Sequence, residues 1–221
     1  MPSPSRAELL KRLQTIYTDQ NDLDTIISAG DLDFDTLALL VVLQKSERNT
    51  AGGIADQLSW TPSKTSRCLK KATARALIRE SVDSKDLRKC HFKLSNKGAN
   101  VVFEVSREFG AERLADLVTT TTSLRRSGHE AESEMSVSLS ETSLRTVLLL
   151  FAHGAASVGA VSDMAKLSQP RISMALKSMQ NQNLVDVGTQ QADQRIRMLR
   201  LTRHGSKLAR VILTRSGFSL G

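Results

Sequence analysis

The spacing of apolar positions divides the chain into short helical and extended segments. Ser5 and Glu8 form a capping box, and Leu9, Leu10, Leu13, Ile16 and Tyr17 follow at helical spacing, so an opening helix of about three turns is expected. A second apolar patch, Leu23, Ile26 and Ile27, stops at Gly30. Asp33 or Asp35 can cap the next helix, Thr36 to Lys45. Thr50 to Leu58 reads as a short helix, broken by Ser59-Trp60-Thr61-Pro62. Thr61 is a good N-cap, and Pro62 suits the first helical position. The helix that follows carries Thr65, Cys68, Leu69 and Ala72 at i, i+3, i+4, i+7, one stripe for burial. Leu77–Glu80 and Cys90–Leu94 read as hairpin strands around the charged tip Asp83-Ser84-Lys85-Asp86-Leu87-Arg88-Lys89. Ser95 to Gly98 then opens a long helix that runs to about Arg125.

From Ser127 to Glu141 the pattern changes. The stretch holds Glu130, Glu132, Glu134 and Glu141, five serines and no Lys or Arg, and reads as an exposed acidic linker. After it the earlier order returns. Leu37 to Val102 can be laid on Leu144 to Ala209 without a gap, at an offset of 107 residues. Gly52, Asp56, Ser66, Leu69, Lys70, Leu77, Asp86, Arg88, Leu94 and Gly98 recur as Gly159, Asp163, Ser173, Leu176, Lys177, Leu184, Asp193, Arg195, Leu201 and Gly205. Ile172, Ala175, Leu176 and Met179 repeat the buried stripe. Such in-register self-similarity means two tandem copies of one small unit. The domains expected are residues 1–126, an acidic linker 127–141, and residues 142–221. The fold class expected is mainly α with small β-hairpin wings: two tandem winged helix-turn-helix domains joined by long helices.

Composition matters chiefly through where the charge lies. The net charge is +8, yet residues 61–100 alone hold 11 Lys/Arg against 3 Asp/Glu, and residues 168–207 hold 7 against 2. The positive charge therefore sits on matching stretches of the two copies, as a polyanion-binding surface requires. Aromatic residues are scarce, at 4%, so aliphatic side chains must fill the cores. Cys68 and Cys90 form no CxxC or zinc pattern, which points to a reduced interior without a disulfide framework. The N-terminus lacks an apolar signal core, and the longest aliphatic runs are too short to span a bilayer; a soluble, cytoplasmic protein is expected. His91, His129, His153 and His204 are not at metal-ligand spacing. No Gly-rich phosphate loop, nucleophile elbow or paired-carboxylate pattern stands out, so neither an enzyme nor a cofactor is expected.

Helix, helix, turn, helix and hairpin is the order of a winged helix-turn-helix, whose third helix is wide enough to fill the major groove. Both copies resemble MarR-type winged-helix regulators. In the first the resemblance rests on Thr61-Pro62-Ser63-Lys64-Thr65-Ser66-Arg67, Asp86-Leu87-Arg88 and Leu94-Ser95-Asn96-Lys97-Gly98. In the second it rests on Ser168-Gln169-Pro170-Arg171-Ile172-Ser173, Asp193-Gln194-Arg195 and Leu201-Thr202-Arg203-His204-Gly205. The resemblance implies double-stranded DNA as partner. It implies that Arg88 and Arg195 enter the minor groove or hold phosphate, oriented by Asp86 and Asp193; the plain alternative is a hairpin-stabilising ion pair. Lys85, Lys89 and Arg197 flank these positions. On the third helices the positions off the buried stripe are Ser63, Lys64, Ser66, Arg67, Lys70 and Lys71, and Gln169, Arg171, Ser173, Met174 and Lys177. Met174 stands where Arg67 stood and Ser178 where Lys71 stood, so base reading is expected to be weighted to the first copy.

Relatives of this type carry one such domain per chain and dimerise through terminal helices. With two domains, the expectation is an intrachain pseudo-dimer, joined by the helices of residues 5–27, 97–125 and 203–215, with a homodimer as the alternative. The expected function is a sequence-specific DNA-binding transcriptional regulator with two heads. Two other readings stay open: a plasmid replication initiator with tandem winged helices, and a winged-helix protein-interaction scaffold that does not bind DNA. No residue singles out a small-molecule effector.

Overall fold

The computed structural model describes residues 5–28, 30–45, 49–82, 90–189 and 197–220. In chain order the elements are α1 (Arg6–Ser28), α2 (Phe34–Gln44), β1 (Asn49–Thr50), α3 (Ala51–Leu58), α4 (Pro62–Ala74), β2 (Ile78–Val82), β3 (Cys90–Leu94) and α5 (Asn96–Phe109). They continue as α6 (Ala111–Met135), α7 (Glu141–His153), β4 (Ala156–Ser157), α8 (Val158–Ala165), α9 (Gln169–Asn181), β5 (Val185–Thr189), β6 (Arg197–Leu201) and α10 (Arg203–Arg215). Residues 20–122 form one compact unit, and residues 1–19 with 123–221 form another; the division falls inside α1 and α6.

The first unit is built around α2. Phe34 and every residue from Thr36 to Leu43 are buried. A helix apolar all round has to be enclosed, and α3, α4, α5 and β3 enclose it. Of the two candidate caps, Asp33 performs the role, accepting from the Thr36 backbone N–H at 2.7 Å. Thr50 caps α3 from the Gly53 N–H at 3.1 Å, and Ser59 ends that helix at φ 52°. Thr61 then caps α4, with Pro62 in its first turn. Thr65, Cys68, Leu69 and Ala72 form the buried stripe of α4, as their spacing requires. Strands β2 and β3 pair antiparallel from Ile78↔Leu94 to Val82↔Cys90, and β1 adds to the other edge of β3.

The second unit repeats this plan. Helix α7, buried from Thr142 to Ala152, packs on α8, α9, α10 and β6. The pairing Asn49↔Phe92 recurs as Ala156↔Leu199, a displacement of 107 on both strands (156 − 49 and 199 − 92). Left-handed backbone recurs at the same offset: Ser59 and Lys166 at φ 52° and 53°, Ala76 and Asn183 at φ 55° and 54°. Each unit is thus helix, short strand, helix, turn, helix and antiparallel hairpin, a winged-helix arrangement, and the fold is mainly α with small β-hairpins.

Three features differ from the sequence reading. Helix α1 is one helix of 23 residues, because the polar run between Tyr17 and Leu23 contains no Gly or Pro to stop it. The long helix after Ser95 breaks at Gly110, whose φ of 96° caps α5, and α6 starts afresh. The acidic stretch is not a linker as far as Met135. Leu124, Ser127, Gly128 and Ala131 face inward at i, i+3, i+4, i+7, a stripe of mostly small residues that hydropathy overlooks. Two of the glutamates there are also engaged: Glu134 pairs with Arg215 at 2.7 Å, and Glu132 takes His129 at 2.8 Å and the Leu139 N–H.

Candidate nucleic-acid interface

Helix α4 buries one stripe and turns the rest of its surface outward. Ser63, Ser66, Arg67 and Lys70 are exposed, and among the described residues Arg67 and Lys70 have no carboxylate partner. Ser66 and Lys70 also line a cleft of about 610 Å³ together with Gly52, Ala55, Leu69 and Phe92. The other two lysines are differently placed. Lys64 Nζ lies 2.7 Å from Asp35 Oδ2 and 5.1 Å from the Trp60 ring centroid. Lys71 Nζ lies 2.7 Å from Asp33 Oδ2. Both carboxylates belong to the start of α2, where the helix dipole favours negative charge. Burial pushes the Asp33 carboxyl up, but the Lys71 and Thr36 hydrogen bonds outweigh it and hold the group below its ordinary value.

Helix α9 presents the equivalent face. Gln169, Arg171, Ser173 and Lys177 are exposed, and among the described residues neither Arg171 nor Lys177 has a carboxylate partner. Met174, in the place of Arg67, is 73% exposed. Ile172, Leu176 and Met179 are buried, while Ala175 is half-buried. Ser168 begins α9 but makes no side-chain capping bond, unlike Thr61.

The hairpin tips fall outside the described residues. Lys85, Asp86, Arg88 and Lys89 lie there in the first unit, and Asp193 and Arg195 in the second. Arg197 is described: it is exposed at the start of β6, opposite Thr189. The strand register adds two cations that motif reading passed over. Arg79 and Lys93 are direct cross-strand partners, both exposed, on the sheet face opposite Phe92. Like charges so placed repel. At the same register in the second unit, Asp186 faces Arg200, a complementary pair. Only the register of β2 on β3 sets Arg79 opposite Lys93, and motif spacing does not reveal a register.

Burial pushes the Cys68 thiol up, and a hydrogen bond with Glu80 does the same for Cys90, so neither resembles an activated thiolate. Among the described residues no group of three or more His, Cys, Asp or Glu is placed to hold a metal ion, and no helix is long and apolar enough to cross a membrane.

No family model matches the chain, and no curated protein matches it. Solved structures match part of it. An S. aureus MepR variant bound to an oligodeoxyribonucleotide is 21% identical over 44% of this chain and 72% of its own, with a TM-score of 0.41. An S. aureus MepR–DNA complex is 21% identical over 43% and 71%, with a TM-score of 0.40. Wild-type E. coli MarR in its apo form is 16% identical over 50% and 81%, with a TM-score of 0.43.

Proposed function

We propose that the chain is a sequence-specific double-stranded DNA-binding transcriptional regulator of the MarR type. It carries two winged-helix heads, one within residues 20–122 and the other within residues 123–221. The observation that carries this reading is the pair of equivalent third helices. Each buries its apolar stripe against its own unit and turns outward hydroxyls and cations that have no carboxylate partner among the described residues, Ser66, Arg67 and Lys70 on α4 and Arg171, Ser173 and Lys177 on α9. A helix held in this way fits the major groove, where its cations meet phosphates and base edges. The like-charged Arg79–Lys93 pair supports the reading, since an anion relieves its repulsion. In the proposed contact set the hairpin tips, through Arg88 and Arg195, supply backbone or minor-groove contacts beside the helices.

The test is site selection from random duplexes, followed by titration of the selected site across salt. A steep fall of affinity with salt, and a selected sequence with two half-sites, are expected. Absence of salt-sensitive binding favours the scaffold reading. Selection of direct repeats in place of paired half-sites favours the replication-initiator reading.

A further inference from the structure

The two third helices are unequal in sequence, four cations on α4 against two on α9, but two of the four, Lys64 and Lys71, face carboxylates in the structure. We propose that Asp33 and Asp35 restrain the first head by holding Lys71 and Lys64 away from bound DNA, leaving each head two helix cations for contact. The inference rests on the DNA-binding reading above.

The restraint is built from fixed parts. Asp33 is the N-cap of α2 and stays in place through its bond from the Thr36 N–H, whether or not Lys71 is present. Asp35 lies in the first turn of the same helix. Lys64 is held twice, by Asp35 at 2.7 Å and over the face of the buried Trp60 at 5.1 Å. A phosphate has to displace both contacts to recruit it. Lys71 has one holder among the described residues, and its side chain is 42% exposed against 26% for Lys64. Exposed ion pairs are weak, so the hold on Lys71 is the looser of the two.

The second unit supplies an internal control. The residues 107 positions after Asp33 and Asp35 are Ser140 and Thr142, neither of them acidic. Arg171, which matches Lys64, is exposed and has no carboxylate partner among the described residues. Carboxylates at these two positions therefore accompany the extra lysines; the acidic residue between the matched positions in the second unit, Glu141, pairs instead with Arg125 and Arg145. What remains is Arg67 and Lys70 on one helix, Arg171 and Lys177 on the other.

The test is a mutant cycle on the full chain, read as the slope of log affinity against log salt on the selected duplex. Asp35→Asn frees Lys64 with an isosteric side chain, and the slope is expected to steepen by about 1, the value of one added phosphate contact. In Asp35→Asn combined with Lys64→Gln the slope should return to that of the wild type. An unchanged slope in Asp35→Asn overturns the proposal. So does a gain that survives Lys64→Gln, because the aspartate then acts by direct repulsion of DNA and not through the lysine. Asp33→Asn with Lys71→Gln forms a second, independent cycle, in which Asn keeps the helix cap. It decides the matter if the Asp35 variant does not fold. Wild-type protein without salt-sensitive binding defeats the DNA-binding reading itself, a result distinct from either failure of the cycle.

Discussion

The carbonyl oxygen of Leu77 occupies the place into which a Cβ on Gly98 would project, and Leu184 stands in the same relation to Gly205. The approach is fixed by a repeated set of bonds. Ser95 donates its N–H to Leu77 O at 3.0 Å and its hydroxyl to Ala76 O at 2.7 Å, and accepts from the Gly98 N–H at 3.0 Å. Thr202 does the same with Leu184, Asn183 and Gly205. These bonds lock the end of the hairpin and the start of the following helix against the turn that leads into the hairpin. Gly98→Ala and Gly205→Ala should each cost roughly 3 kcal/mol, because the obstacle is backbone and cannot swing aside. Gly52→Ala meets open space and should shift stability by less than about 1 kcal/mol. Urea denaturation of the three variants is the check, and equal losses would mean that the close approach is not what excludes a side chain.

Glu141 carries a pH-dependent part of the stability of the second unit. Its carboxylate accepts from Arg125 at 3.1 Å and Arg145 at 2.6 Å; Arg145 also donates to Ala165 O and lies over the Tyr17 ring, 5.0 Å from its centroid. Burial pushes the carboxyl up, but the two guanidiniums outweigh it and hold the pKa at about 2, against an ordinary 4.5. The folded value lies below the unfolded one, so the contribution is complete above about pH 4.5 and is lost as pH falls toward 2. The Glu141 side chain is 43% exposed, and solvent screening reduces the effect to about 1–2 kcal/mol. Glu141→Gln should lose that amount at pH 7 and show a flatter acid limb. Urea midpoints taken from pH 7 to pH 2 test this, and parallel acid limbs in the two proteins rule it out.

Local chemistry made most of the winged-helix units legible. Thr61-Pro62 announces α4, the Thr65–Ala72 stripe sets its buried face, and the hairpin strands end within two residues of their expected places. The misses have separate causes. Ser127, Gly128 and Ala131 bury too little apolar surface to mark a helix by hydropathy, though small side chains are what a close contact needs. Gly110 is silent as a helix break until its φ is known. The partners of Lys64 and Lys71 are 29 and 38 residues away, and only the packing of α2 against α4 shows that these lysines are engaged.

The proposed balance of two heads has a direct test. With Lys64 and Lys71 held by carboxylates, Arg67→Ala and Arg171→Ala should each lower the salt slope by about 1, by loss of one contact per head. If Arg67 also grips a base edge with both arms, its loss should relax preference at one half-site by roughly 1–3 kcal/mol. Met174→Ala should do much less, since a thioether offers only apolar contact. A base-substitution scan of the site with each variant separates these cases. A loss confined to Arg67→Ala would restore the unequal weighting that the bare sequence suggests.

The hairpin tips are open to the same measurement. Arg88 and Arg195 occupy matching positions, each two residues after an aspartate. Replacing either with Ala should weaken binding and reduce the slope by about 1. Replacing Asp86 or Asp193 should give a smaller loss if the carboxylate only orients its arginine. Unchanged affinity and slope in both arginine variants would remove the tips from the contact set.

On the proposed reading, stoichiometry decides how the two heads in one chain are used. A covalent link keeps the second head at high effective concentration once the first has bound, without a further association step. One chain should then cover one site of two half-sites about one helical turn apart. Dilution should not split the footprint, because no subunit has to dissociate. Binding curves should be simple, with a midpoint that does not depend on a monomer–dimer equilibrium. The rival is a homodimer with four heads, which demands a longer footprint or leaves heads unused. Light scattering on the free protein and a stoichiometric titration of the selected duplex separate the two. One chain per pair of half-sites supports the single-chain reader, and a stable dimer placing two chains on that same footprint refutes it.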